Sequence, residues 1–191
     1  MSKCLICCGI LQKELEQIFK EIGNRNNVPE RIYLEPALHV DFDKLKTELE
    51  STLANQQKKS EKLFLVYGLQ CHPEMKVLAQ NYKATVIPAQ NCIDMLLGDK
   101  INFVNQEAKT FFLTPGWLEN WKSIFINGLG WDSITARQNF GFYERILLLD
   151  TGIKTFKEEE ILEFFDYTQI PIETHEISLH NLRQLVLDTL K

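Results

Sequence analysis

The sequence predicts an α/β fold: a mostly parallel sheet with helices on both faces, Rossmann-like in layout. Three observations predict it. Short apolar runs of strand length alternate with segments whose hydrophobic residues recur at helical spacing. Gly or Pro punctuates most of the junctions between them. The chain has 191 residues, 45% of them hydrophobic, enough to bury one core without splitting. Residues 1–191 therefore read as one domain, and 1–98 and 99–191 are the two lobes the pattern permits.

Residues 3–8 form the first apolar run, and Gly9 turns the chain. Leu11, Leu15, Ile18, Phe19 and Ile22 then share a helical face, which Gly23 stops. Residues 31–35, with Ile32, Tyr33 and Leu34, read as the second strand, and residues 41–57 carry Phe42, Leu45, Leu49 and Leu53 on one face of a helix. Residues 62–67 are the third strand, ended by Gly68, and 73–81 a short helix with Pro73 near its first turn. Residues 85–87 are the fourth strand, stopped by Pro88, and 91–97 a helix closed by Gly98.

Regularity weakens beyond Gly98. Residues 110–113 read as a strand, and Thr114-Pro115-Gly116-Trp117 is a corner opening a helix with Leu118, Trp121, Ile124 and Phe125. Residues 131–143 look helical, 145–149 are an apolar run ending in Asp150, and 157–167 form an amphipathic helix. A weak strand at 170–173 and a last helix at 178–190, with Ser178 as its N-cap, complete the chain.

Composition excludes several function classes. The formal net charge is -5 and no basic stripe occurs, so nucleic acid is not an expected partner. No apolar stretch approaches the ~18 residues that span a bilayer, and the N-terminal apolar run is too short for a signal sequence. The expected compartment is a reducing cytoplasm, where the five cysteines serve as thiols or metal ligands rather than disulfides.

Cys8, Cys71 and Cys92 each follow a strand-like run, and His39 follows the second. In a parallel sheet those strand ends meet at the edge where open α/β sheets bind ligands. Three thiolates and an imidazole complete a tetrahedral zinc site; three thiolates alone hold three irons of a [4Fe-4S] cluster and leave the fourth open. Cys4 and Cys8 share one face of their strand and Cys7 the other, so Cys4 and Cys7 read as buried apolar residues. His72 reads equally as a solvated neighbour of the helix start, and the competing reading of the whole set is buried cysteines with a surface histidine. No dinucleotide fingerprint, phosphate loop or nucleophile elbow is present.

Thr114-Pro115-Gly116-Trp117 has two readings. One is a helix start, with Thr114 as cap, Pro115 at the first position and Trp117 in the core. The other adds Thr114 and the Gly116 and Trp117 amides as contacts for a carboxylate or substrate beside the thiols. Asp150 is a further cofactor contact on that edge or a turn residue, and Arg137, Tyr143 and Arg145 read as surface or interface groups.

Three segments carry a family resemblance: Leu65-Val66-Tyr67-Gly68-Leu69 with Cys71, then Asn91-Cys92-Ile93-Asp94-Met95-Leu96-Leu97-Gly98, then Phe112-Leu113-Thr114-Pro115-Gly116-Trp117. With the Leu38-His39 step they resemble the family called domain of unknown function 1638, from about Cys8 to Tyr143. The resemblance implies an α/β fold, a site built from these cysteines and homologues in anaerobic bacteria and archaea. It also implies a link to corrinoid-dependent one-carbon metabolism, with a corrinoid or methyl-transfer protein as partner. The chain departs from the expected pattern at Gln70, which separates Tyr-Gly-Leu from the thiol.

The expected function is a zinc- or iron–sulfur-binding protein acting on a small sulfur- or methyl-bearing substrate, as a thiolate-metal-dependent transferase or lyase if it is an enzyme. Two alternatives stand beside it. A non-catalytic protein handling metal or corrinoid would expose an aromatic surface at Trp117, Trp121 and Trp131. A metal-free cysteine-nucleophile enzyme would show one accessible thiol of lowered pKa.

Overall fold

The computed structural model describes residues 2–23, 28–98 and 108–191. Strands β1 (Lys3–Cys8), β2 (Glu30–Leu34), β3 (Lys62–Val66) and β4 (Ala84–Val86) form a parallel sheet in the order β2-β1-β3-β4. Strands β5 (Thr110–Leu113), β6 (Arg145–Asp150) and β7 (Ile172–Glu176) form a second parallel sheet, ordered β5-β6-β7. The fold is α/β and parallel, as the alternation of segments predicts, but its strands divide between two sheets.

The helices are α1 (Gln12–Ile22), α2 (Phe42–Gln56), α3 (Met75–Asn81), α4 (Cys92–Leu97), α5 (Pro115–Trp121), α6 (Ser133–Phe140), α7 (Glu158–Thr168) and α8 (His180–Thr189). A π-helical segment, Lys122–Gly128, continues α5.

Strand alternation builds two cores. Cys4, Ile6 and Cys8 of β1 pack with Leu45, Leu49 and Leu53 of α2 and with Leu78 of α3. Leu5 and Cys7 point the other way, onto Leu15 and Ile18 of α1 and Met95 to Leu97 of α4. Each core also takes residues from the second sheet: Ile146 and Leu148 in the first, Leu147 and Leu149 in the second. Helix α8 returns from the second half to the first, where Leu182 and Val186 join the core of Leu5, and Asn181 Nδ2 donates to Met95 O at 2.9 Å.

Several boundaries differ from the sequence reading, among them the following. Asp132 caps α6 by accepting from the Thr135 amide at 2.7 Å, so that helix starts at Ser133 rather than 131. Ser178 is not an N-cap: α8 begins at His180 after Leu179, with no side-chain cap. Strand β7 begins at Ile172 because its later residues are an exposed edge, where apolar alternation gives no signal. Among the described residues, no helix is long and apolar enough to cross a membrane.

Glu14 of α1 is only 1% exposed, and the Thr151 hydroxyl donates to its Oε1 at 3.2 Å. Burial pushes its carboxyl above the usual 4.5. An acid raised in the folded state weakens folding as pH climbs through and above its unfolded value. Glu14→Gln keeps an oxygen for Thr151 and removes that penalty. The variant should be more stable than wild type at pH 7, the gain shrinking towards zero by pH 4, in denaturant titrations at both pH values.

Candidate functional site

The topology delivers three thiols to one place. Cys8 is the last residue of β1. Cys71 closes a turn after β3, its amide donating to Gly68 O at 3.1 Å. Cys92 is the first residue of α4, which Asn91 caps by accepting from the Asp94 amide at 2.9 Å. Strands β1, β3 and β4 are neighbours, so their C-terminal ends share one edge. Two backbone bonds lace the later loops together, Leu69 N to Ala89 O and Gln70 N to Gln90 O, both 2.9 Å.

From the other side the second sheet contributes Phe111 and Phe112 of β5, Trp117 of α5, and Tyr143. Together these elements enclose a cavity of about 440 Å³, lined by all three cysteines. That volume lies within the range of small-molecule sites.

Two electrostatic influences act on each sulfur, in opposite directions. Burial pushes the Cys8, Cys71 and Cys92 thiols up, Cys92 to about 12, and the nearness of Cys92 and Cys71 raises Cys8 further. Against this, neighbouring N–H groups pull each thiol back down: Ile10 acts on Cys8, Gly68 on Cys71, and Cys92, Ile93 and the Trp117 indole on Cys92. A neutral thiol is a weak acceptor, whereas a thiolate uses such donors fully. Among the described residues lining the cavity there is no Lys, Arg or His to supply a positive charge. Among the described residues, no three His, Cys, Asp or Glu side chains form a ready-made metal-binding group.

The other expected contacts scatter. Trp117 lines the cavity. Thr114 is fully buried and spends its hydroxyl as the cap of α5, accepting from the Trp117 amide at 3.2 Å. Gly116 is a packing glycine, pressed against the Ile10 backbone. Asp150 does not line the cavity; it is the last residue of β6, its Oδ1 accepting from Gly152 N at 2.8 Å. The His39 side chain lies outside the described residues; its backbone belongs to the short helix Pro36–Val40 after β2. His72 is not solvated: it is 5% exposed, and its Nδ1 accepts from the Glu74 amide at 3.0 Å.

Cys4 and Cys7 are buried apolar residues of β1. Tyr143 is no surface group but part of the cavity wall, with its ring centroid 5.3 Å from that of Phe111. Arg145 is half-buried and holds Thr110, its Nε donating to the Thr110 hydroxyl at 3.0 Å. Sequence reasoning also missed Tyr67, the residue after β3, which is 1% exposed and reaches the same cavity. Its position directly before Gly68, at the end of an apolar strand, was the available signal.

Compared with the curated proteins and with the solved structures, the chain matches none. A family model does match, over residues 33–186, a span that takes in Cys71, Cys92, the Thr114 corner and β5 to β7. The chain therefore belongs to the family described as protein of unknown function (DUF1638).

Proposed function

We propose that Cys8, Cys71 and Cys92 hold a metal centre, a zinc ion or a [4Fe-4S] cluster with one open position, and that this centre acts on a small sulfur- or methyl-bearing molecule in the adjoining cavity. One observation carries the reading: three sulfurs line one cavity and each has neighbouring N–H groups that favour its thiolate, yet no described cationic side chain lines it. Amides favour charge on sulfur, while burial and mutual repulsion oppose three thiolates together. A bound cation reconciles these, because a coordinating thiol is deprotonated outright. Zinc would ready a bound thiol or water for attack, and an open iron would bind and polarise a substrate atom.

Two further observations weigh against the alternatives. Each site thiol is raised rather than lowered, the opposite of what an activated metal-free nucleophile requires. The tryptophans form no exposed aromatic surface: Trp121 is buried, Trp131 stacks on Phe125 at 5.7 Å, and Trp117 lines the cavity.

The test is elemental analysis and a UV–visible spectrum of protein purified without oxygen. Near-stoichiometric zinc in colourless protein, or iron with brown colour, is the expected result. Cys8→Ser, Cys71→Ser and Cys92→Ser should each lose the metal, whereas Cys4→Ser and Cys7→Ser should keep it. Protein without metal after anaerobic purification and reconstitution, or metal retained by all three site variants, overturns the proposal.

A further inference from the structure

The phenol of Tyr67 has no partner. It is 1% exposed, lines the cavity, and its hydroxyl makes no hydrogen bond. The Cys8 sulfur is close enough to act on the hydroxyl, but the contact falls short of a hydrogen bond. A buried donor left unpaired costs free energy, and native proteins tolerate few of them. Of the buried side-chain oxygens without a partner among the described residues, Gln56 Oε1 lies away from the cavity and the Tyr67 hydroxyl lies on it.

Two of the other polar groups on the wall are already engaged, whereas the Gln70 amide and the Tyr143 hydroxyl are less deeply buried than the Tyr67 phenol. The Thr110 hydroxyl donates to Ala108 O at 3.0 Å and accepts from Arg145, and Asn91 Oδ1 accepts from the Asp94 amide. The remaining wall is mainly apolar, with Phe111, Phe112, Trp117, Tyr143, Leu11 and Met95 among the residues that line it. No described carboxylate, ammonium or guanidinium lines it. An ionised ligand would therefore lose its hydration and gain no counter-charge from these walls.

We infer that the cavity takes a compact, uncharged ligand whose apolar body lies against the aromatic wall and whose single hydrogen-bond acceptor receives the Tyr67 hydroxyl. This rests on the cavity of the proposed function and narrows its substrate to neutral molecules, but it does not require the metal. The acceptor is a carbonyl, ether or comparable heteroatom, because the hydroxyl has a proton to give and no other use for it.

Three probes of matched shape test it: acetophenone, α-methylstyrene and benzoate, titrated by calorimetry into the protein as isolated, with its metal content measured on the same sample. Acetophenone should bind about tenfold more tightly than α-methylstyrene, the value of one well-made hydrogen bond in a dry site, and benzoate should bind more weakly than either. Tyr67→Phe should erase the acetophenone advantage and leave α-methylstyrene unchanged. The variant should melt at or above the wild-type temperature, since it deletes an unpaired donor and keeps the ring. Benzoate binding as well as acetophenone, an acetophenone preference that survives in Tyr67→Phe, or no binding of any probe overturns the inference. Because metal content is read separately, a metal-free protein that still prefers acetophenone sinks the proposed centre and leaves the Tyr67 inference standing.

Discussion

Gly116→Ala should cost about 3 kcal/mol or more of folding stability, in the upper range for overpacking a close contact. A Cβ at this position would stand 2.0 Å from Ile10 O, 2.8 Å from Ile10 C and 2.9 Å from Ile10 Cα. All three are backbone atoms, so no rotamer change relieves the clash. Either α5 or the turn after β1 must move. Both carry the site: Trp117 follows Gly116 directly, and the Ile10 amide is the one that acts on the Cys8 thiol. The variant should therefore show a lowered denaturation midpoint together with loss of the proposed metal from anaerobically purified protein. A midpoint equal to wild type would mean that the first turn of α5 does not sit against Ile10.

That contact also shows where sequence reasoning stops. The helix start at Thr114 was legible because a cap and a proline act through the next three residues, and the structure keeps both roles. The reason for glycine two residues later was not legible, since its neighbour Ile10 lies over a hundred positions away. The same division runs through the cavity. Period-two alternation put Cys4 and Cys8 on one face of β1 and Cys7 on the other, and the two cores divide them that way. Strand ends likewise brought Cys8, Cys71 and Cys92 into view together, because parallel neighbours end on the same edge.

The opposite wall was hidden. Tyr143 lies in the turn before β6 and Phe111 in β5, within the sheet that pairs only with itself. Nothing in the local pattern separates one continuous sheet from two parallel sheets sharing their cores. Alternation specifies which face a residue takes; which sheet edge meets which is decided by tertiary packing. Tyr67 was misjudged for a related reason. At the end of an apolar run a tyrosine looks like core, and its ring is core; only its unpaired hydroxyl sets it apart.

Gly68→Ala tests the lacing of the site from the other edge, and its expected effect is nearly as large. A Cβ here would meet Gln90 O at 2.2 Å, Asn91 Cα at 2.4 Å and Asn91 N at 2.5 Å, again backbone throughout. The turn that Gly68 opens ends at Cys71, and Asn91 caps the helix that Cys92 begins. To admit a methyl group the two loops must separate by roughly 1 Å, a gap that forfeits much of the packing attraction between them. That movement would break the 2.9 Å bonds from Leu69 to Ala89 and from Gln70 to Gln90. It would also carry the Cys71 sulfur away from Cys92. Folding stability should fall by about 2–3 kcal/mol by denaturant titration. More tellingly, loading of the proposed metal should drop out of proportion to the folded fraction, because the native strands β1, β3 and β4 survive while their loops no longer meet. Loss of metal strictly in step with unfolding would assign Gly68 to the fold alone, and a stable variant with full metal would break the link between these two loops and the thiol centre.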